Sequence, residues 1–217
     1  MFNSHQIIDK LFQNWCELLN NFDINQTSTE QTFNQIVESY STPNRYYHNL
    51  EHINHVLEVI QSLEFPTKYF DIKTVQFAAW FHDIVYETKA KDNEEKSAEY
   101  AVEVLSSLSI PSDVIKNVKK LILQTKNHCA SNTDFNAQVL LDADLAILGS
   151  NLAEYSKYAQ AIRQEYIWVP ETKYFAARKK ILETFLQRKN IYLTQFMQER
   201  REKIARNNIE TEMSYEL

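Results

Sequence analysis

Apolar residues recur along the chain at three- and four-residue spacing, in blocks separated by short polar breaks, which is the period of amphipathic helices and not of strands. Ile7, Ile8, Leu11, Phe12, Trp15, Leu18 and Leu19 trace one stripe of a first helix. After a polar stretch at 20–28, Ser28 and Gln31 have the spacing of a capping box for a second helix carrying Phe33, Ile36, Val37 and Tyr40. Ser41-Thr42-Pro43-Asn44 breaks it. A third helix is predicted from near Leu50 to about Leu63, ended by Phe65-Pro66. A fourth, over 73–86, is apolar on nearly every side, the mark of a buried central helix. Asp92, with Glu95 as its box partner, caps a fifth over 93–108, and Pro111 stands at the first position of a sixth ending near Asn127. The seventh covers 135–148 and stops at Gly149; three more follow over 155–168, 173–188 and 192–206.

Composition sharpens this into an all-α fold. Gly149 is the only glycine and prolines number four, whereas tight hairpins and phosphate-cradling loops need residues that tolerate positive φ. With 217 residues, no internal repeat and no linker, the expectation is a single-domain multi-helix bundle over 1–217, with its motifs at about 40–190 and a C-terminal helix and tail at about 191–217. The formal charge of −6 offers no general attraction for a nucleic-acid polymer or an anionic membrane surface. Cys16 and Cys129 cannot build a disulfide framework. The start, MFNSHQIIDKLF, lacks the features of a secretory signal, and no run approaches the ~18 apolar residues of a membrane span. The expected setting is cytoplasmic.

Three segments carry the chemistry. In RYYHNLEHINHVLEVI, helical geometry turns His52 to the edge of the sector formed by Ile53, Val56, Leu57 and Ile60. His48 falls one turn earlier and His55 nearer solvent. In FAAWFHDIVYE, His82 and Asp83 sit inside the apolar fourth helix, where a charged carboxylate is costly unless paired or bound to a cation. In VLLDADLAIL, Asp142 and Asp144 interrupt Val, Leu, Ala and Ile. Two imidazoles and two carboxylates from distant stretches suit a borderline divalent ion such as Mn, Fe, Co, Ni or Zn, with Mg less favoured by nitrogen ligands; one ion is expected in preference to two.

The order His52 … His82-Asp83 … Asp144 resembles the HD superfamily of metal-dependent phosphohydrolases. RYYHNLEH, FHDIVYE, DNEEKSA, TKNH, DADLAILG and IRQEY resemble a bacterial branch of predicted HD-domain phosphohydrolases of uncharacterised substrate. The resemblance covers about 40–190 and implies an HD-domain-like helical bundle, metal held by His52, His82, Asp83 and Asp144, and hydrolysis of a phosphate mono- or diester. It also makes Glu94 a candidate site residue. Where other members continue with a basic residue and Leu-Asp, this chain reads Asp144-Leu145-Ala146-Ile147.

Around those ligands, Asp83 is expected to orient the attacking water, and Glu87, one turn along the same helix, to serve as general acid or base. His48, Lys126 and His128 are candidates for substrate contact, with His128 alternatively a second-metal ligand or a cation at a helix end. Asp142 is expected to orient a histidine or cap backbone. Arg45, Lys126, Arg163 and Arg178 are the bases available to a phosphate, although Arg163 and Glu165 also have the spacing of a structural ion pair. The expected partner is a small phosphorylated substrate; a homo-oligomer is left open. Two rival readings are an HD-type di-iron oxygenase, which needs extra ligands such as His48, Glu87 or His128, and a non-catalytic nucleotide-binding or sensor module.

Overall fold

The protein is described here by a computed structural model, covering residues 4–20, 22–63 and 71–215. Ten α-helices run in order: α1 Ser4–Leu19, α2 Gln26–Tyr40, α3 Leu50–Ser62, α4 Ile72–Phe81, α5 Asn93–Ser107, α6 Ser112–Thr125, α7 Phe135–Asp144, α8 Leu152–Glu165, α9 Glu171–Gln187 and α10 Gln195–Tyr215. A 3-10 helix, Leu145–Gly149, continues α7. The described residues contain no β-strand, as the missing glycines require, and no helix long and apolar enough to cross a membrane.

α4 is the hub. It packs on α3, α5, α6 and α7, and Val75, Phe77, Ala78, Ala79, Trp80 and Phe81 are all completely buried. Trp15 of α1 meets Phe77, Trp80 and Phe81 edge-on, with ring centroids 5.4–6.1 Å apart, the arrangement that aromatic quadrupoles favour. One hydrophobic core runs continuously from Leu11 to Ile209.

Several boundaries differ from the periodic reading for local reasons. α2 begins earlier than Ser28, because the Asn25 side chain accepts from the Ser28 amide and caps the helix. The stop at Phe65-Pro66 lies outside the described residues. Asp92 precedes α5 without a side-chain cap bond and pairs with Lys96; Glu95 is drawn to Lys126 instead. Pro111 occupies the capping position of α6, one residue before its first turn. α10 begins three residues later than 192 and extends to Tyr215, beyond the expected 206.

The largest change is in α4, which ends at Phe81 and not at 86. His82 is the last helical backbone, and the chain then turns. The carbonyls α4 leaves open go to His82 Nδ1, the Tyr40 hydroxyl and Ile84 N, and those of the turn that follows go to Arg45, which donates Nη1–H to Asp83 O (2.7 Å) and Nη2–H to Ile84 O (2.8 Å). Ser97 of α5 accepts from Val85 N and donates back to Val85 O.

Gly149 is explained by contact and not by backbone conformation. A Cβ there would stand 2.6 Å from Arg201 Cβ and 2.7 Å from the Tyr192 hydroxyl, so α10 can cross the 3-10 helix closely only over a hydrogen atom. The positive-φ turns are made by Asp23, Asn44, Ser109 and His128, residue types of which Asn, Asp and His tolerate that region best.

Candidate metal centre

Three segments converge at the inner end of the hub. His52 is in the first turn of α3, His82 and Asp83 follow α4, and Asp144 is the last residue of α7. His52 Nε2 lies 3.1 Å from His82 Nε2. Asp83 Oδ2 is 3.2 Å from His82 Nε2 and 3.5 Å from His52 Nε2. Asp144 Oδ1 is 3.4 and 3.5 Å from the same two nitrogens. Both imidazoles are buried, and the Asp83 and Asp144 side chains retain 19 and 13% exposure toward a cavity.

His82 donates Nδ1–H to Ala79 O at 2.9 Å, since a carbonyl only accepts. Its Nε2 lone pair is therefore free to face the cluster. Electron-rich atoms then crowd round one point, an arrangement that only a cation or shared protons can reconcile. Ligands each about 2.1 Å from one ion and at right angles stand about 3 Å apart, close to the spacing seen. His52, His82 and Asp83, whose donor atoms all lie within 4.8 Å of one another, could hold a metal ion. Asp144 stands outside that group and touches it through the two imidazoles.

The electrostatics agree. Burial works against a proton on His82, yet the carboxylates of Asp83 and Asp144 hold it well above the ordinary histidine range. Burial likewise opposes a proton on His52, and bonds to Asp144 and Asp83 outweigh it. Both acids are depressed well below the usual carboxylate range: burial pushes them up, but His82 and the neighbouring imidazoles pull them further down. The site attracts positive charge.

The cavity beside the cluster measures about 760 Å³. Of the other residues expected here, His48, Glu94, Lys126 and His128 line it. His128 Nε2 meets Asp144 Oδ2 at 2.9 Å, and Lys126 is paired with Glu95, with Glu94 4.0 Å away. Arg178 lines it too, paired with Glu212; Glu87, Arg45, Arg163 and Asp142 are placed otherwise. Glu87 is exposed and directed elsewhere, because the helix that was to carry it along the Asp83 face has already ended; it accepts from Lys89 N. Arg45 does not line the cavity. Its donors go to the carbonyls of His48, Asp83 and Ile84 and to Thr42 Oγ1, with Tyr40 and Tyr86 rings 5.0 and 5.6 Å away. Arg163 is also outside, bonded to the carbonyls of Tyr166 and Val169 over the Tyr174 ring. Asp142 takes the capping alternative: fully buried, it accepts from Leu193 N, Thr194 N and Thr194 Oγ1 at 2.6–2.7 Å. His55, expected near solvent, is only partly exposed, and its Nε2 is enclosed without a partner.

One residue was placed wrongly by spacing. Glu165 makes no ion pair with Arg163; its side chain is wholly buried against the site. Oε1 accepts from Tyr47 N and His48 N, and Oε2 accepts from the Tyr86 hydroxyl and holds His48 Nδ1 at 2.7 Å. His48 stacks on Tyr86 at 4.1 Å and turns Nε2 toward Asp83 Oδ2, 4.0 Å away. The clue in the sequence was an acid on the apolar side of α8, three residues after Ile162. Burial raises the Glu165 carboxyl, but the bond to His48 overrides it and leaves the group below its usual range. No protein-family model matches the chain, and no curated protein matches it.

Proposed function

We propose that this chain is a metal-dependent phosphohydrolase of the HD type, cleaving a small phosphate ester. The observation that supports it most is the convergence of His52, His82 and Asp83 donor atoms at 3.1–3.5 Å spacing beside an open cavity, with Asp144 Oδ1 3.4–3.5 Å from both imidazoles. When bound there, a divalent ion supplies a water of near-neutral pKa and draws charge from a phosphoryl oxygen.

The chain's own residues divide the rest of the work. Asp83 and Asp144 stay ionised and draw a proton or a cation to the two imidazoles, and His82 keeps Nδ1 bonded to Ala79 O. Glu165 fixes His48 as the Nδ1–H tautomer, which leaves Nε2 facing the cavity next to Asp83. With a second proton on Nε2, His48 hands it to the departing ester oxygen as the bond to phosphorus breaks. His48 thus takes the acid role for which Glu87 is misplaced. The oxygenase alternative needs additional ligands, and of those expected for it Glu87 is turned to solvent.

The test is phosphate release from a panel of small monoesters and diesters, run with Mn, Co, Ni, Zn and Mg, with metal content measured alongside. The parent is expected to bind metal and turn over. His82→Ala and Asp83→Ala should lose metal and at least about a hundredfold in kcat/KM. Metal-free parental protein that hydrolyses esters as well as the loaded form, or Asp83→Ala at the parental rate, contradicts the proposal.

A further inference from the structure

Three cations line the cavity, and two of them are already neutralised. Lys126 is paired with Glu95. Arg178 donates Nε–H and Nη2–H to Glu212 and Nη1–H to the Tyr158 hydroxyl. Arg188, the capping residue at the end of α9, differs: among the described residues no carboxylate lies within ion-pair distance of it. Its Nη1–H goes to His128 O (3.1 Å) and its Nη2–H to Asn127 O (3.3 Å), while the guanidinium lies 4.9 Å over the Phe185 ring.

Those anchors fix both its charge and its place. Backbone carbonyls and a ring face hold a guanidinium without cancelling its charge. The residue that supplies one carbonyl, His128, sends its ring the other way, to Asp144. Arg188 is therefore held on the wall beside His128, whose ring and not its carbonyl meets the cluster.

We infer that Arg188 forms a second anion subsite, so that the substrate carries an acidic group, phosphate or carboxylate, in addition to the ester that is cleaved. This rests on the phosphohydrolase reading for its account of the first group. Lys126 stands between Glu94 and Glu95 and Arg178 is paired with Glu212, so Arg188 is the cation in the wall that no carboxylate meets among the described residues. The cavity, at about 760 Å³, is far larger than one phosphate.

Calorimetric binding to metal-loaded protein tests this without turnover. The probes are propylphosphonate, propane-1,3-bisphosphonate and 3-phosphonopropionate, which share one phosphonate and differ in the second group. The parent should prefer both two-headed probes over propylphosphonate by about tenfold or more, the value of a charge-assisted contact. The bisphosphonate leading points to phosphate as the natural second group, and the phosphonopropionate leading points to carboxylate. Arg188→Met should erase the preference while metal content and propylphosphonate affinity stay at parental values, and Arg188→Lys should restore part of it. Equal affinity of the parent for all three probes overturns the inference whatever the variants do. So does a preference that survives in folded Arg188→Met. A parent that distinguishes the probes but hydrolyses no ester keeps the subsite and sinks the phosphohydrolase reading instead.

Discussion

The two carboxylates of the cluster stand at two helix ends that are secured in opposite ways. At the Asp83 end, α4 stops and the carbonyls of the turn after it are collected by one cation, Arg45, which lies over the Tyr40 and Tyr86 rings, with Ser97 holding Val85 beside it. At the Asp144 end, the chain tightens into a 3-10 helix whose carbonyls are taken by α10 and the segment before it: Tyr192 donates to Leu145 O, Arg201 to Ala146 O and Asn208 to Leu148 O. A buried anion completes that end, with Asp142 receiving the amides that lead into α10. The first clamp is a single side chain from a loop adjoining the cavity. The second is a long helix from the far end of the chain. Losing one clamp should therefore disturb the site locally, and losing the other should disturb the fold.

Asp142→Ala gives the largest effect expected. It strips acceptors from two backbone amides and a hydroxyl in a fully buried place, a loss of about 3–5 kcal/mol. Thermal and urea unfolding should show it with or without metal. A variant within about 1 kcal/mol of the parent would mean that α10 holds the Asp144 end without this clasp.

Next is Glu165→Gln, on the Asp83 side. The amide can still accept from the Tyr47 and His48 backbones, but its NH2 faces His48 Nδ1 and inverts the tautomer. The expected outcome is a kcat lower by about a hundredfold, with KM and stability close to parental. An unchanged kcat removes His48 from the acid role.

How far the site was legible follows the same division. His52, His82, Asp83 and Asp144 were readable because polar groups in apolar helical stretches call for a partner, and the order of the motifs supplied it. The helix count was readable from period alone. Arg45, Glu87 and Glu165 were misread because their roles depend on where α4 stops. That point is set by carbonyl partners on α5 and the 42–49 loop, which no local pattern reveals. Asp142 and Gly149 answer to α10, more than fifty residues away in the case of Asp142 and Thr194.

Arg45→Met should be felt chiefly at the metal. Removing the guanidinium frees the carbonyls of Asp83, Ile84 and His48 and loosens both Asp83 and His48. The expected result is metal affinity weaker by about tenfold and a stability loss of about 2 kcal/mol. The comparison predicts that Arg45→Met lowers metal affinity more than it lowers the melting temperature, and Asp142→Ala the reverse. Titration of apo protein with Zn or Mn, beside thermal melts, reads both. Equal losses in the two variants would dissolve the distinction.

The smallest effect belongs to neither end, and it has to be separated from both before their acid sensitivity can be compared. His55, on α3 facing Arg201, Glu58 and Glu154, has an enclosed Nε2 without a partner. Burial and the nearby His52 charge lower it from an ordinary value of 6.5 to about 4. Between those values the unfolded chain binds a proton that the folded protein does not, so stability rises with pH across the interval and falls as acid is added. From pH 7 to 5 the loss comes to about 1 kcal/mol after allowance for the partial exposure of the ring, or roughly 2–4 °C in Tm for a chain of this size. Asp83, Asp144 and Glu165, whose folded values are depressed, keep their contributions above the unfolded carboxylate range and lose them only at lower pH. Calorimetry of His55→Gln at pH 7 and 5 should show this part of the acid loss gone while the steeper fall below pH 4 remains. If the variant loses as much as the parent between 7 and 5, His55 is not the source of that loss, and neither are His52 and His82, whose raised folded values stabilise the protein as acid is added.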